Sequence, residues 1–125
     1  MKTVAVVVVS IAIVLAFACK PDEDTYIQEK VDLSGVSPQE AYVALNCAKC
    51  HGAELKGQRT APALTGLAAH WTEDQLIAYL RDPAAVRAAN PRMAYVAEEY
   101  AIVMPAYPHT DETALRGLVG WLLTQ

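Results

Sequence analysis

Cys47, Cys50 and His51 are the residues of this chain whose types and spacing can do chemistry together. They stand in NCAKCHG, residues 46–52. Two thiols three residues apart lie on one face of a helical turn, so both can reach the two vinyl groups along one edge of a porphyrin. The imidazole that follows is then brought under the ring, where a nitrogen can bind iron. Cys-x-x-Cys-His is the attachment pattern of c-type haem. Two other chemistries use the same thiols. A redox dithiol usually accompanies a βαβ pattern, and none is visible in this chain. A structural zinc site needs four ligands, whereas Cys47, Cys50 and His51 supply three, the last two adjacent and awkward for a tetrahedron. The spacing therefore implies one covalently bound haem c.

A third cysteine, Cys19, closes an apolar leader, MKTVAVVVVSIAIVLAFAC. One lysine followed by an apolar run and small residues is the layout of an export signal. The run from Thr3 to Ala18 would measure about 24 Å as a helix at about 1.5 Å per residue, somewhat short of a hydrocarbon core about 30 Å thick. Its end, AFAC, resembles the lipobox of bacterial lipoproteins, with Ala16 where a leucine is usual. Residues 1–18 are thus expected to be a signal peptide cleaved before Cys19, with an uncleaved membrane anchor or simple cleavage nearby as the alternatives. Each places the folded part outside the cytoplasm, on the periplasmic side of an inner membrane or at the outer cell face. Lipid on Cys19 and haem on Cys47 and Cys50 would leave no spare thiol, which answers the odd cysteine count.

Residues 19–36 are polar and mostly acidic, without sustained period, and read as a flexible tether. The whole chain has net charge −4, and loss of Lys2 with the leader makes it −5. That balance argues against nucleic acid as a partner.

The elements that must position the motif occupy residues 37–125. Ser37, Pro38 and Glu40 form the start of a helix with a capping box. This helix is expected to run through both cysteines and to end at Gly52. A loop punctuated by Gly57, Pro62 and Gly66 follows. Thr72 and Gln75 cap a second helix with Leu76, Tyr79 and Leu80 on one face, closed by Pro83. Residues 84–103 suggest short helical turns interrupted by Pro91, and prolines 105 and 108 exclude regular helix between them. Thr110 is expected to cap a terminal helix with an apolar stripe of Leu115, Leu118, Val119 and Leu122. The domain is predicted to be small and all-α. So few helices make a thin core, and such domains lean on a staple or a buried cofactor.

Iron that transfers electrons with little rearrangement needs a second axial ligand. The candidates are Met93, Met104, His70 and His109. Met104 precedes Pro105, which forces its backbone away from helical geometry; Met93 follows Pro91 and is its rival. The histidines fit surface or loop-capping roles better.

Over residues 37–125 the chain resembles the monohaem class I cytochromes c, in CAKCHG, in APALTG and in MPAYP before a final amphipathic helix. The resemblance implies that Pro62 offers its carbonyl to the second nitrogen of His51, that Leu64 packs on the haem, and that Met104 is the sixth ligand. Trp121 would pack the last helix across the first, with Gly117 and Gly120 allowing close approach. Leu67, Leu76, Leu80, Tyr100, Tyr107 and Leu118 are further candidates to bury the ring. His/Met ligation favours the ferrous state relative to bis-histidine ligation. The implied function is one-electron transfer without a small-molecule substrate or enzymatic turnover. The partner would be a respiratory or photosynthetic membrane complex, or another redox protein, with the membrane engaged through the N-terminus. Lys49, Lys56 and Arg59 near the motif are either a docking rim or ordinary solvated charge. A haem enzyme or gas or redox sensor with a labile sixth ligand is the competing class.

Overall fold

The computed structural model describes residues 30–125; the leader, Cys19 and the tether up to residue 29 lie outside the described residues. Six helices follow: α1 (Pro38–Ala44), α2 (Cys47–His51), α3 (Glu73–Arg81), α4 (Pro83–Ala89), α5 (Pro91–Glu99) and α6 (Glu112–Leu123), with a 3-10 turn at Leu67–Ala69. Among the described residues β pairing is limited to isolated bridges, one of them between Gln58 and Ala61. The fold is all-α.

Local signals set several boundaries. The Ser37 hydroxyl accepts from the Glu40 amide while the Glu40 carboxylate accepts from the Ser37 amide at 2.8 Å. Thr72 and Gln75 repeat this reciprocal capping at α3. Pro83 does not merely stop α3; it is the first residue of α4, whose N-cap is Asp82. Asn90 and Pro91 likewise open α5. The terminal helix is capped by Asp111, whose carboxylate accepts from the Ala114 amide at 3.0 Å, rather than by Thr110. Thr110 is buried.

The single helix expected over residues 38–52 is two helices. Asn46 between them is left-handed, φ 59° and ψ 18°, a conformation that asparagine tolerates better than most residues. The elbow is tied down from both sides. The Tyr107 hydroxyl donates to the Leu45 carbonyl at 2.9 Å, and the Tyr42 hydroxyl donates to the Gly52 carbonyl at 2.7 Å. Tyr107→Phe is expected to lower unfolding free energy by about 1–2 kcal/mol, since it strands a buried acceptor; a chemical-denaturation midpoint measures it.

α1 and α3 both pack on α6, and α4 on α3 and α5. Leu45, Leu115, Leu118 and Val119 are fully buried at this junction, each contributing roughly 1.5–3 kcal/mol of apolar transfer. Trp121 meets Tyr42 edge to face, centroids 5.8 Å apart. Gly117 and Gly120 do not set the approach of α1 and α6: a Cβ on either would meet nothing within 4 Å.

The packed domain starts earlier than Ser37. Leu33 is only 4 % exposed and belongs to the core, with Val31 and Val36 packed against it. The Val36 amide turns back to the Leu33 carbonyl, and Asp32 accepts from the Ser34 amide and hydroxyl. Three apolar side chains in a polar stretch carry no regular period, so their burial is decided by the partners that meet them.

Candidate functional site

His51, the last residue of α2, is 7 % exposed. Its Nδ1 lies 2.8 Å from the Pro62 carbonyl. A carbonyl can only accept, so Nδ1 carries the proton and Nε2 keeps its lone pair. Burial pushes the imidazole pKa down, partly opposed by the Pro62 hydrogen bond. The ring is therefore neutral, oriented, and offers one nitrogen to a metal.

The loop after α2 exists to bring Pro62 to that position. The Gly57 amide donates to the His51 carbonyl at 2.9 Å, Gln58 and Ala61 exchange backbone hydrogen bonds, and the Leu64 amide donates to the Leu55 carbonyl at 2.8 Å. Leu55, buried, holds a positive φ of 61°. Gly57 has φ +75°, and a Cβ there would fall 2.5 Å from the Ala63 nitrogen and 2.7 Å from the Pro62 carbonyl carbon. Only glycine lets the two strands of the loop approach this closely.

Cys47 is buried, Cys50 is half-buried, and no disulfide joins them. Burial pushes the Cys47 thiol up to about 11, against a hydrogen bond from Tyr107 that lowers it. A redox or nucleophilic cysteine needs the opposite shift, so Cys47 does not have the character of a reactive thiol. Among the described residues no three His, Cys, Asp or Glu side chains converge to hold a metal ion. What the motif does provide is two thiols one turn apart and an imidazole nitrogen. That donor set fits thioether attachment of haem with an axial histidine, and it fits a self-contained zinc site poorly.

Met104 is partly buried and packs against the core cluster that contains Cys47 and Tyr107. Met93 is more buried, at 5 % exposure, yet lies on α5 and is not part of that cluster. His70 and His109 are exposed. Leu76, Leu80, Tyr107 and Leu118 are in the core and Leu64 and Leu67 pack against it, whereas Tyr100 is not among them. Lys49, Lys56 and Arg59 are exposed, and Lys56 is paired with Glu54 at 2.6 Å.

Sequence reasoning passed over three contributors. Gly57 read as punctuation, although a glycine six residues after His51 was a signal for a tight return. Tyr42 drew no reading of its own, yet it donates to the Gly52 carbonyl at 2.7 Å, and burial pushes its hydroxyl up to about 12. Arg81 gave no signal at all, because its partners lie 26–31 residues away.

The model of one protein family, described as cytochrome c, matches residues 38–125. Neither a curated protein nor a solved structure matches the chain. The match spans α1 to the last residue and so takes in the motif, the Pro62 loop, Met104 and the terminal helix. An all-helical frame that buries and orients one histidine beside two thiols is what such a family requires. The chain belongs to the cytochrome c family, whose members bind haem and carry electrons.

Proposed function

We propose that this protein is a one-electron carrier with a single haem c, joined to Cys47 and Cys50 and ligated by His51 and Met104. It works at the outer face of a bacterial membrane, held there by lipid on Cys19 or by an uncleaved anchor. It passes electrons to or from a respiratory or photosynthetic membrane complex, as a shuttle or as a subunit.

The observation that carries the reading is the His51–Pro62 hydrogen bond at 2.8 Å, because it fixes the tautomer that leaves Nε2 for iron. Haem iron supplies the ferrous–ferric couple; the chain binds, orients and shields it. Pro62 holds the imidazole plane. Leu64 and the core leucines exclude water from the site, which favours the less charged ferrous state. Met104 contributes a soft thioether that adds to the same preference. His51 and Met104 would both hold the haem iron, and the reading therefore has no place for a substrate there. A tether adds effective concentration near a membrane partner without any new contact.

The test is the intact mass of the protein extracted from membranes, before and after Cys47→Ser and Cys50→Ser together. One haem and one lipid increment are expected on the parent. The double variant should keep the lipid and lose the haem under denaturing conditions. A parent mass with neither increment sinks the reading, and haem without lipid moves the anchor to residues 1–18.

A further inference from the structure

The segment that follows Met104 forms no helix before α6, and three of its carbonyls are gathered by one side chain. Arg81 is the last residue of α3. Its Nη1 donates to three backbone carbonyls: Tyr107 at 3.3 Å, Pro108 at 2.8 Å and Thr110 at 2.7 Å. Its Nη2 donates to the Glu112 carboxylate at 2.8 Å. The side chain is 27 % exposed, so these bonds form partly out of water. The adjacent Leu80 carbonyl accepts from the Tyr107 amide at 2.9 Å.

The physical reason for such a clasp lies in the sequence. Pro105 and Pro108 have no amide to donate, and residues 104–110 cannot enter a helix. Their carbonyls still need partners when half-buried. A guanidinium presents a rigid fork of donors that satisfies several at once. Arg81 also sits at the carboxyl end of α3, where a cation is favoured. Glu112 then links it to Arg116, which reaches Glu73 and Asp74 at the start of α3. That second network fastens α6 to the start of α3 and touches none of the three carbonyls that Arg81 holds.

We propose that Arg81 is the positioning residue for the sixth ligand: by pinning the chain three to six residues beyond Met104, it holds that methionine against the core and keeps the iron closed to other ligands. This rests on Met104 being the ligand. It assigns to a residue outside the haem motifs the task of setting how often the sixth position opens.

The experiment uses the full haem-loaded protein and carbon monoxide as the probe. Arg81→Met keeps an unbranched apolar stem and removes every donor. Reduced R81M is expected to take up carbon monoxide about tenfold faster than the parent, the equivalent of losing one charge-assisted hydrogen bond, with a weakened methionine–iron band in the ferric spectrum. Arg81→Lys restores charge without the fork and should fall between them. Arg116→Gln is the control for mere stability: it removes the ion pairs to Glu73, Asp74 and Glu112 while touching none of the three carbonyls. It should lower the thermal midpoint and leave carbon monoxide uptake at the parental rate. Uptake by R81M at the parental rate, or an equal rise in R116Q, overturns the proposal. Should R81M fail to fold, R81K carries the test: uptake about threefold above the parent supports the clasp, and anything less overturns it. Met104→Ala is measured alongside. If it keeps the band and stays closed, the ligand assignment has failed rather than the clasp.

Discussion

Met104→Ala is expected to remove the methionine–iron band from the ferric spectrum completely and to open the reduced protein to carbon monoxide. The thioether is the group that favours ferrous iron. Its loss should lower the reduction potential by on the order of 0.1 V or more, within the roughly 0.8 V that axial-ligand choice spans. Stability should fall by about 1–3 kcal/mol, at or below the low end of the range for deleting a core methionine, because Met104 is only partly buried. The comparison that gives this meaning is Met93→Ala. Met93 is the better buried of the two, at 5 % exposure, so its loss should cost at least as much stability, about 2–4 kcal/mol. Yet the band, the potential and the closure to carbon monoxide should survive it. Stability and coordination are thus expected to separate. An M93A variant that loses the band would reverse the assignment of the two methionines.

Gly57→Ala should be the most damaging single methyl in the domain. The added carbon would stand 2.5 Å from the Ala63 nitrogen, 2.7 Å from the Pro62 carbonyl carbon and 3.0 Å from the Ala61 oxygen. All three are backbone atoms that cannot swing aside as a side chain would. The overpacking costs about 1–3 kcal/mol, and an alanine at φ +75° adds roughly 1–2 kcal/mol. Gly66 supplies the contrast, with φ +71° and open space around its Cβ position. Gly66→Ala should show the conformational cost alone, about 1 kcal/mol, in the same denaturant titration. The two variants should differ in function as well. Relieving the clash must displace the backbone at Pro62, whose carbonyl fixes the His51 proton on Nδ1. G57A should therefore shift the reduction potential, while G66A leaves it at the parental value.

What was legible in the sequence was the chemistry that needs only neighbours. Ser37 with Glu40 and Thr72 with Gln75 announce helix starts because each cap closes within three residues, and both are formed. The break at Pro91 follows from one missing amide. The three ends that went elsewhere were decided at longer range. Asn46 takes a left-handed turn that its own sequence permits but does not demand, and the hydroxyl of Tyr107 bonds the carbonyl beside it, that of Leu45, across 62 residues. Thr110 and Asp111 are both good caps, and Arg81 takes the Thr110 carbonyl from outside while Asp111 serves α6. Leu33 looks like linker until α1 and α6 are placed. For the site, the thiols and imidazole of α2 were readable from spacing alone. The link from His51 to Pro62 came through family resemblance, and Gly57 and Arg81 required the fold.

Leu33 changes how the domain would bear a load. The residues around it, Ser34 to Val36, line a cleft of about 320 Å³ with Asp111, Thr113, Ala114 and Gly117 of the α6 start. Any pull arriving along the backbone from residue 30 meets this buried leucine before it reaches the Ser37 cap. It would be delivered sideways onto the first turns of α6, at the end where Glu112 braces Arg81. Strain arriving from the N-terminal side and the hold of Arg81 on the chain after Met104 would then share one mechanical joint.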